Sequence, residues 1–290
     1  MPVVRANGID IWYELRGAGP TVALSHGWQG PTQDWPAGIL DRLAEHMRLL
    51  VYDVRGHGRT EAPEDPEAYS LPTYARDLRA LLDALEIERP HIAGVSQGGM
   101  IAAQFAVDFP ERTRSLLLCD STAGNGADEG PGGDWERTLQ EYFDMMAEYA
   151  REHGLLALAR ERTRLARERD AHYFDYPEAP EERERKHDEQ HTRMPLHAFL
   201  GTCLAIRRRP DLTARLREVA VPALVLAGEW DRFYDCAERD HELLEGSRFV
   251  RVLRCGHASP DWRPEAFVAS VVDFIADVEA GRDVQGEREL

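Results

Sequence analysis

Apolar residues in this chain fall into two kinds of run. Short, nearly unbroken apolar blocks at 21–25, 48–53, 92–95, 115–120, 222–227 and 249–253 have the length and character of strands buried on both faces. Between them, 35–46, 71–85 and 265–278 carry helical spacing: in the second, Leu78, Leu81, Leu82 and Leu85 share one face, and in the third Pro264 takes a favoured first-turn position. Residues 3–16 alternate instead, with Ile9, Ile11 and Tyr13 separated by polar neighbours, and Asn7-Gly8 predicts a two-residue hairpin. Residues 280–290 are polar and are expected to fray.

The alternation of strand and helix breaks after residue 120. A Gly/Asp/Pro-rich loop at 124–133 leads into a stretch that is helical up to about 217. There Leu139, Tyr142, Phe143, Met146 and Tyr149 make one apolar stripe, and 160–169 and 181–189 are dense in charges of both signs. The predicted fold class is therefore α/β: a doubly wound, mostly parallel sheet built from 1–123 and 218–290, with a helical lid inserted at 124–217.

Composition narrows the partners. The 290 residues include 52 acidic and 35 basic side chains, a formal net charge of −17, which repels phosphate backbones and anionic lipid surfaces. Nucleic acid and membrane are thus disfavoured and a small-molecule partner expected. No apolar run reaches membrane-spanning length, and the first residues lack a secretion-signal pattern, so the expected location is cytoplasmic. The four cysteines, Cys119, Cys203, Cys236 and Cys255, are too sparse for a disulfide framework and read as small core residues. His187 and His191 fall on one helix face, but the zinc-protease pattern needs Glu directly after the first His and the chain has Asp188; a solvated helix face is expected, with no metal and no cofactor.

The chemistry gathers at Gly94-Val95-Ser96-Gln97-Gly98, a strand, a sharp turn and a helix start. Residues two before and two after such a serine crowd its Cα and favour glycine, and the following helix turns its free N–H groups to where an oxyanion would form. Gly-x-Ser-x-Gly alone is weak evidence. Here His26-Gly27-Trp28 ends an earlier strand, where Gly27 permits a turn that aims the Trp28 N–H beside Ser96, and Gly228-Glu229-Trp230-Asp231 and Gly256-His257 end two later ones. In the loop 53–59, Asp53 and Arg55 are expected to pair and hold a glycine-rich turn, a structural role.

With these motifs in this order, the sequence resembles the α/β-hydrolase superfamily over nearly all of the chain outside the lid. Residues 94–102, 117–124, 203–207 and 256–267 are similar to 3-oxoadipate enol-lactonases and related esterases. The resemblance implies Ser96 as nucleophile, His257 as base, Asp231 as orienting acid, and the N–H groups of Trp28 and Gln97 as oxyanion-hole donors; Asp120, at a neighbouring strand end, is the rival acid. It implies hydrolysis of small to medium esters or lactones through an acyl-enzyme. Carbon–carbon hydrolysis, perhydrolysis, or a ligand sensor with negligible turnover are the alternatives on the same fold. Tyr142, Phe143, Met146, Tyr173 and Phe174 are candidates for the pocket wall, and Arg207 for a substrate carboxylate. Trp262 departs from the resemblance, because relatives often have Glu five residues after the histidine.

Overall fold

The computed structural model describes residues 2–124 and 133–290; the loop expected over 124–133 lies, apart from its two ends, outside the described residues. The first strands, β1 (Val3–Ala6) and β2 (Ile9–Arg16), pair antiparallel with Ala6 opposite Ile9. Asn7 and Gly8 both adopt positive φ, 45° and 80°, as a two-residue hairpin turn requires. Then come β3 (Thr21–Ser25), α1 (Ile39–Ala44), β4 (Arg48–Tyr52), α2 (Leu71–Ala84), β5 (His91–Val95), α3 (Gln97–Asp108) and β6 (Leu116–Cys119). Five helices follow: α4 (Gly133–His153), α5 (Leu155–Arg169), α6 (Pro180–Arg193), α7 (Leu196–Arg207) and α8 (Thr213–Leu216). The chain closes with β7 (Ala223–Gly228), α9 (Tyr234–Leu243), β8 (Arg248–Val252), α10 (Ser259–Trp262), α11 (Pro264–Glu279) and β9 (Gly286–Glu289).

The strands form one sheet in the order β1-β2-β4-β3-β5-β6-β7-β8-β9, antiparallel across the first two pairings and parallel in the rest. Strands β5 and β6 are buried at every residue, as their unbroken apolar blocks require. One core joins Leu50, Ile92 and Leu118 to Leu78 of α2 and Phe105 of α3, and runs on into the helical insertion through Phe143, Met146 and Phe199. The opposite core joins Leu49, Leu117 and Val250 to Leu43 of α1 and Phe274 of α11. The sheet is thus covered on both sides, and the insertion shares an apolar core with one of them.

Three expectations are corrected. The tail does not fray: β9 pairs parallel with β8, Phe249 opposite Glu287, although all four of its residues are exposed. Helix α1 is half its expected length, because Pro36 lacks a donor and Gly38 turns at φ 80° just ahead of it. Asp53 and Arg55 do not pair. Asp53 instead accepts from Thr32 N at 2.8 Å and Arg59 N at 2.9 Å, while Arg55 forms a two-pronged buried pair with Asp77, both bonds 2.7 Å. Each still holds a turn, so the structural role stands with different partners.

Candidate active site

Five successive strand ends build the site. Ser96 follows β5 at φ 56° and ψ −119°, a conformation rare for a side-chain-bearing residue, and it is held there by Ser96 N donating to Cys119 O at 2.9 Å. The turn closes only because its flanks are glycines. A Cβ on Gly94 would fall on the Gly98 carbonyl, and one on Gly98 on the main chain of Ser25 and His26. From the next strand, Ser121 Oγ donates to Ser96 O at 2.7 Å and fixes the elbow from the side.

The residues expected to work with Ser96 are brought to it. His257 Nε2 lies 2.9 Å from Ser96 Oγ, and His257 Nδ1 lies 2.9 Å from Asp231 Oδ1. Asp231 is buried in the turn after β7, where its Oδ1 also accepts from Phe233 N at 3.1 Å; the Phe233 ring packs on the imidazole. Asp120, the rival, makes no hydrogen bond to the imidazole. Its Oδ2 accepts instead from Ser259 N at 2.6 Å and Ser259 Oγ at 2.7 Å. Burial, and then the charge of Asp231, push the Asp120 carboxyl up to about 7.

The loop after β3 is set by His26. Its Nε2 accepts from Val54 N at 2.9 Å, so the proton sits on Nδ1, which donates to Gly27 O at 2.7 Å. Burial holds His26 below the usual histidine range and pushes the neighbouring His57 down to about 3, so two neutral rings support the loop. The Trp28 N–H has no acceptor among the described residues, and Gln97 opens α3, where an N–H has no carbonyl one turn back. Both expected donors are therefore left without an acceptor among the described residues.

The insertion meets this loop at the Trp28 ring. Trp28 Nε1 donates to Thr202 Oγ1 at 3.0 Å, and its ring packs edge-on against Phe143 at 4.9 Å and tilted against Phe199 at 5.3 Å. Arg162 of α5 lies over the same ring, 5.3 Å from its centre. Its guanidinium donates to Tyr142 Oη at 3.0 Å, Gln29 Oε1 at 3.0 Å and His191 Nε2 at 2.7 Å, three neutral acceptors. Among the described residues it has no carboxylate partner.

The pocket candidates divide accordingly. Phe143 touches Trp28 directly and Tyr142 holds Arg162, whereas Met146 is fully enclosed in the core. Tyr173 is buried within the insertion, its hydroxyl on Glu184 at 2.5 Å. Phe174 is 72% exposed, and Arg207 sits in an exposed pair with Asp144 at 2.6 Å, so neither faces a pocket wall. The His187/His191 face is not solvated: His191 is buried against Arg162, and burial with that guanidinium holds both rings well below the usual histidine range. Among the described residues no cluster of three His, Cys, Asp or Glu could hold a metal, and no helix is long and apolar enough to cross a membrane.

Sequence reasoning missed Arg162, Thr202 and the Asp120–Ser259 contact. Arg162 did leave a signal. It falls at helical spacing from Leu155, Leu158 and Ala159 and before Leu165 and Ala166, so it occupies the apolar face of a helix whose arginines at 160, 164 and 167 lie off it. Trp262, where relatives often have Glu, packs across Gly256 and edge-on to Trp230 and Tyr176, and so backs the His257 loop with an apolar wall.

Known proteins agree with this architecture. The enol-lactonase of Burkholderia xenovorans LB400 superposes with a TM-score of 0.79 at 28% identity, covering 95% of this chain and all of that one. A protein of Azorhizobium caulinodans named for carbamate hydrolysis is 30% identical over 97% of both chains. The pimeloyl-[acyl-carrier protein] methyl ester esterase of Aeromonas hydrophila is 28% identical over 92% of this chain and all of its own length. With the alpha/beta hydrolase fold family model matching residues 20–264, the chain belongs to that family.

Proposed function

We propose that this protein is a serine hydrolase that cleaves small to medium carboxylic esters or lactones through an acyl-enzyme. The observation that carries the reading is the chain of two 2.9 Å contacts from Ser96 Oγ through His257 to Asp231 Oδ1. A serine hydroxyl is a weak nucleophile until a base takes its proton. In this mechanism Ser96 Oγ attacks the acyl carbon as His257 Nε2 accepts the proton, and Asp231 holds the Nδ1–H tautomer and stabilises the imidazolium. The oxyanion is received by the N–H groups of Trp28 and Gln97. His257 then protonates the departing alkoxide. In the second half it takes a proton from water, whose oxygen attacks the acyl carbon, and returns that proton to Ser96 Oγ as the acyl bond breaks and the acid leaves.

The helical insertion acts as the lid, with Trp28 and Phe143 where roof and floor meet. Arg162 replaces Arg207 as the carboxylate-binding candidate: its charge faces neutral acceptors beside the oxyanion loop, whereas Arg207 is already matched by Asp144. The preferred substrate on this reading carries a carboxylate on its acyl side.

Ser96→Ala should lower turnover of an ester or lactone by about 10⁴-fold or more while leaving the thermal midpoint nearly unchanged, because the triad acts as a unit. Rates measured on short acyl esters, small lactones, long-chain esters and a vinylogous diketone complete the test. Short esters or lactones should lead. Fastest cleavage of the diketone would move the assignment to carbon–carbon hydrolysis, and saturable binding of every compound without multiple turnover would move it to a sensor.

A further inference from the structure

We propose that Asp120 is a positioning residue for His257: by gripping Ser259 it holds the histidine loop in register with Ser96 and Asp231. This rests on the serine-hydrolase reading and adds to it a residue outside the triad. The observations are geometric. Asp120 is fully buried and sits at φ 48° after β6, with its N–H donating to Leu226 O at 2.8 Å. Its Oδ2 takes both donors of Ser259, two residues beyond His257, and its Oδ1 accepts from Gly228 N at 3.3 Å, three residues before Asp231. One carboxylate thus ties the base-bearing loop to the strand end that leads to the acid. The next residue, Ser121, ties the nucleophile through Ser96 O.

The histidine loop needs such an anchor. Between His257 and Ser259, Ala258 is at φ 70°, a left-handed conformation that costs free energy for alanine and persists only when its surroundings enforce it. The main-chain bonds that Ala258 O receives from Asp261 and Trp262 fix the far side of the turn. Asp120 fixes the near side. A carboxylate suits the position because three donors converge on it and in its ionised form it presents only acceptors, whereas an amide would turn its own NH₂ toward one of them. Burying it beside Asp231 is electrostatically costly, as its raised pKa records; simple packing would favour an apolar side chain. The ionisable groups facing it are Cys119 on its own strand, Asp231 after β7, and Cys255 and His257 after β8.

The test measures the reactivity of Ser96 without any choice of substrate. A fluorophosphonate forms a bond from Ser96 Oγ to phosphorus, fluoride leaves, and His257 takes the serine proton, so the labelling rate constant reports how well the imidazole is placed. Labelling of the full-length protein should slow about a hundredfold in Asp120→Asn and about tenfold in Ser259→Ala, the range of a lost charge-assisted hydrogen bond. The double variant should be no slower than Asp120→Asn alone, because both act through one contact. In ester hydrolysis kcat should fall in parallel with KM unchanged. Measured well below each variant's melting temperature, where essentially all of the protein is folded, the rate constant does not depend on stability, so a merely structural role would lower the melting temperature without changing it. Ser259→Ala, the milder change, carries the test if Asp120→Asn does not fold. Wild-type labelling rates in both variants would overturn the proposal. An unlabelled wild-type Ser96 would instead overturn the nucleophile assignment on which it rests.

Discussion

The strand ends and the helical insertion both place side chains around Trp28, by opposite means. At the strand ends, main chain meets main chain: Ser96 N on Cys119 O, Asp120 N on Leu226 O, and the Gly98 backbone against Ser25 and His26. In the insertion, long charged side chains face one another on the surface, as in Arg164 with Glu161 and Glu168, or Arg185 with Glu182 and Glu189. Exposed pairs of this kind contribute about 0–1 kcal/mol each. Close backbone packing in a buried layer tolerates almost no displacement. The proposed triad thus stands on parts that cannot shift, and the insertion proposed as its lid is held in part by side chains that can be rewritten one at a time.

The sharpest way to break the contrast is to add a single carbon to the elbow. Gly98→Ala forces a methyl into the Ser25 and His26 backbone, and should cost about 3 kcal/mol or more, the upper range of core overpacking. Urea unfolding would read it, and turnover should collapse with stability. A Gly154→Ala control isolates the crowding, because a Cβ there meets nothing within 4 Å although its φ of 82° still imposes backbone strain. Gly98 has no left-handed φ of its own, so a loss there no larger than at Gly154 would show that close approach adds little at the elbow.

Within the insertion, the distinction lies between Arg162 and its paired neighbours. Arg162→Met should raise KM for a dicarboxylic acid monomethyl ester by about tenfold or more, the value of one charge-assisted contact, and leave the dimethyl ester unchanged. Arg207→Met and Arg164→Met should alter neither substrate and shift stability by no more than about 0.5 kcal/mol. A uniform effect on charged and neutral esters would make Arg162 a packing residue of the Trp28 face.

The same contrast explains what was legible in the sequence. Strands buried on both faces announce themselves as apolar blocks, and the steric demand of the elbow is written as glycines at 94 and 98, so a mostly parallel sheet and the meeting of Ser96, His257 and Asp231 at its strand ends could be anticipated. Strand β9 could not. Gly-Glu-Arg-Glu has no apolar member because the edge strand buries no side chain, and its place is set by backbone pairing and by surface ion pairs of Glu289 with Arg251 and of Arg288 with Asp273 and Asp277. Charged side chains were also ambiguous, since a sequence does not show which partner each one meets. Asp53 had Arg55 two residues away and paired elsewhere; Arg207, the arginine expected at the substrate, lies against Asp144, and Arg162, which the sequence did not single out, lies against Gln29 and His191.

The smallest effect concerns the cost of holding a second carboxylate behind the triad. In the unfolded chain Asp120 titrates in the usual aspartate range near 4, but in the folded protein burial and Asp231 raise it to about 7. Between those values the folded state binds more protons than the unfolded one, so this residue's contribution to stability declines as pH rises from about 4 to 7 and is level above that. Asn does not titrate. The stability of Asp120→Asn relative to wild type should therefore improve from pH 5 to about pH 7 and level off by pH 8, even though its labelling rate and kcat are impaired at pH 8. Urea midpoints of the two proteins at pH 5, 6, 7 and 8 would reveal this as a closing gap. A gap that stays constant across the series would mean that Asp120 is ionised at all these pH values, with the two Ser259 donors outweighing burial and the neighbouring charge.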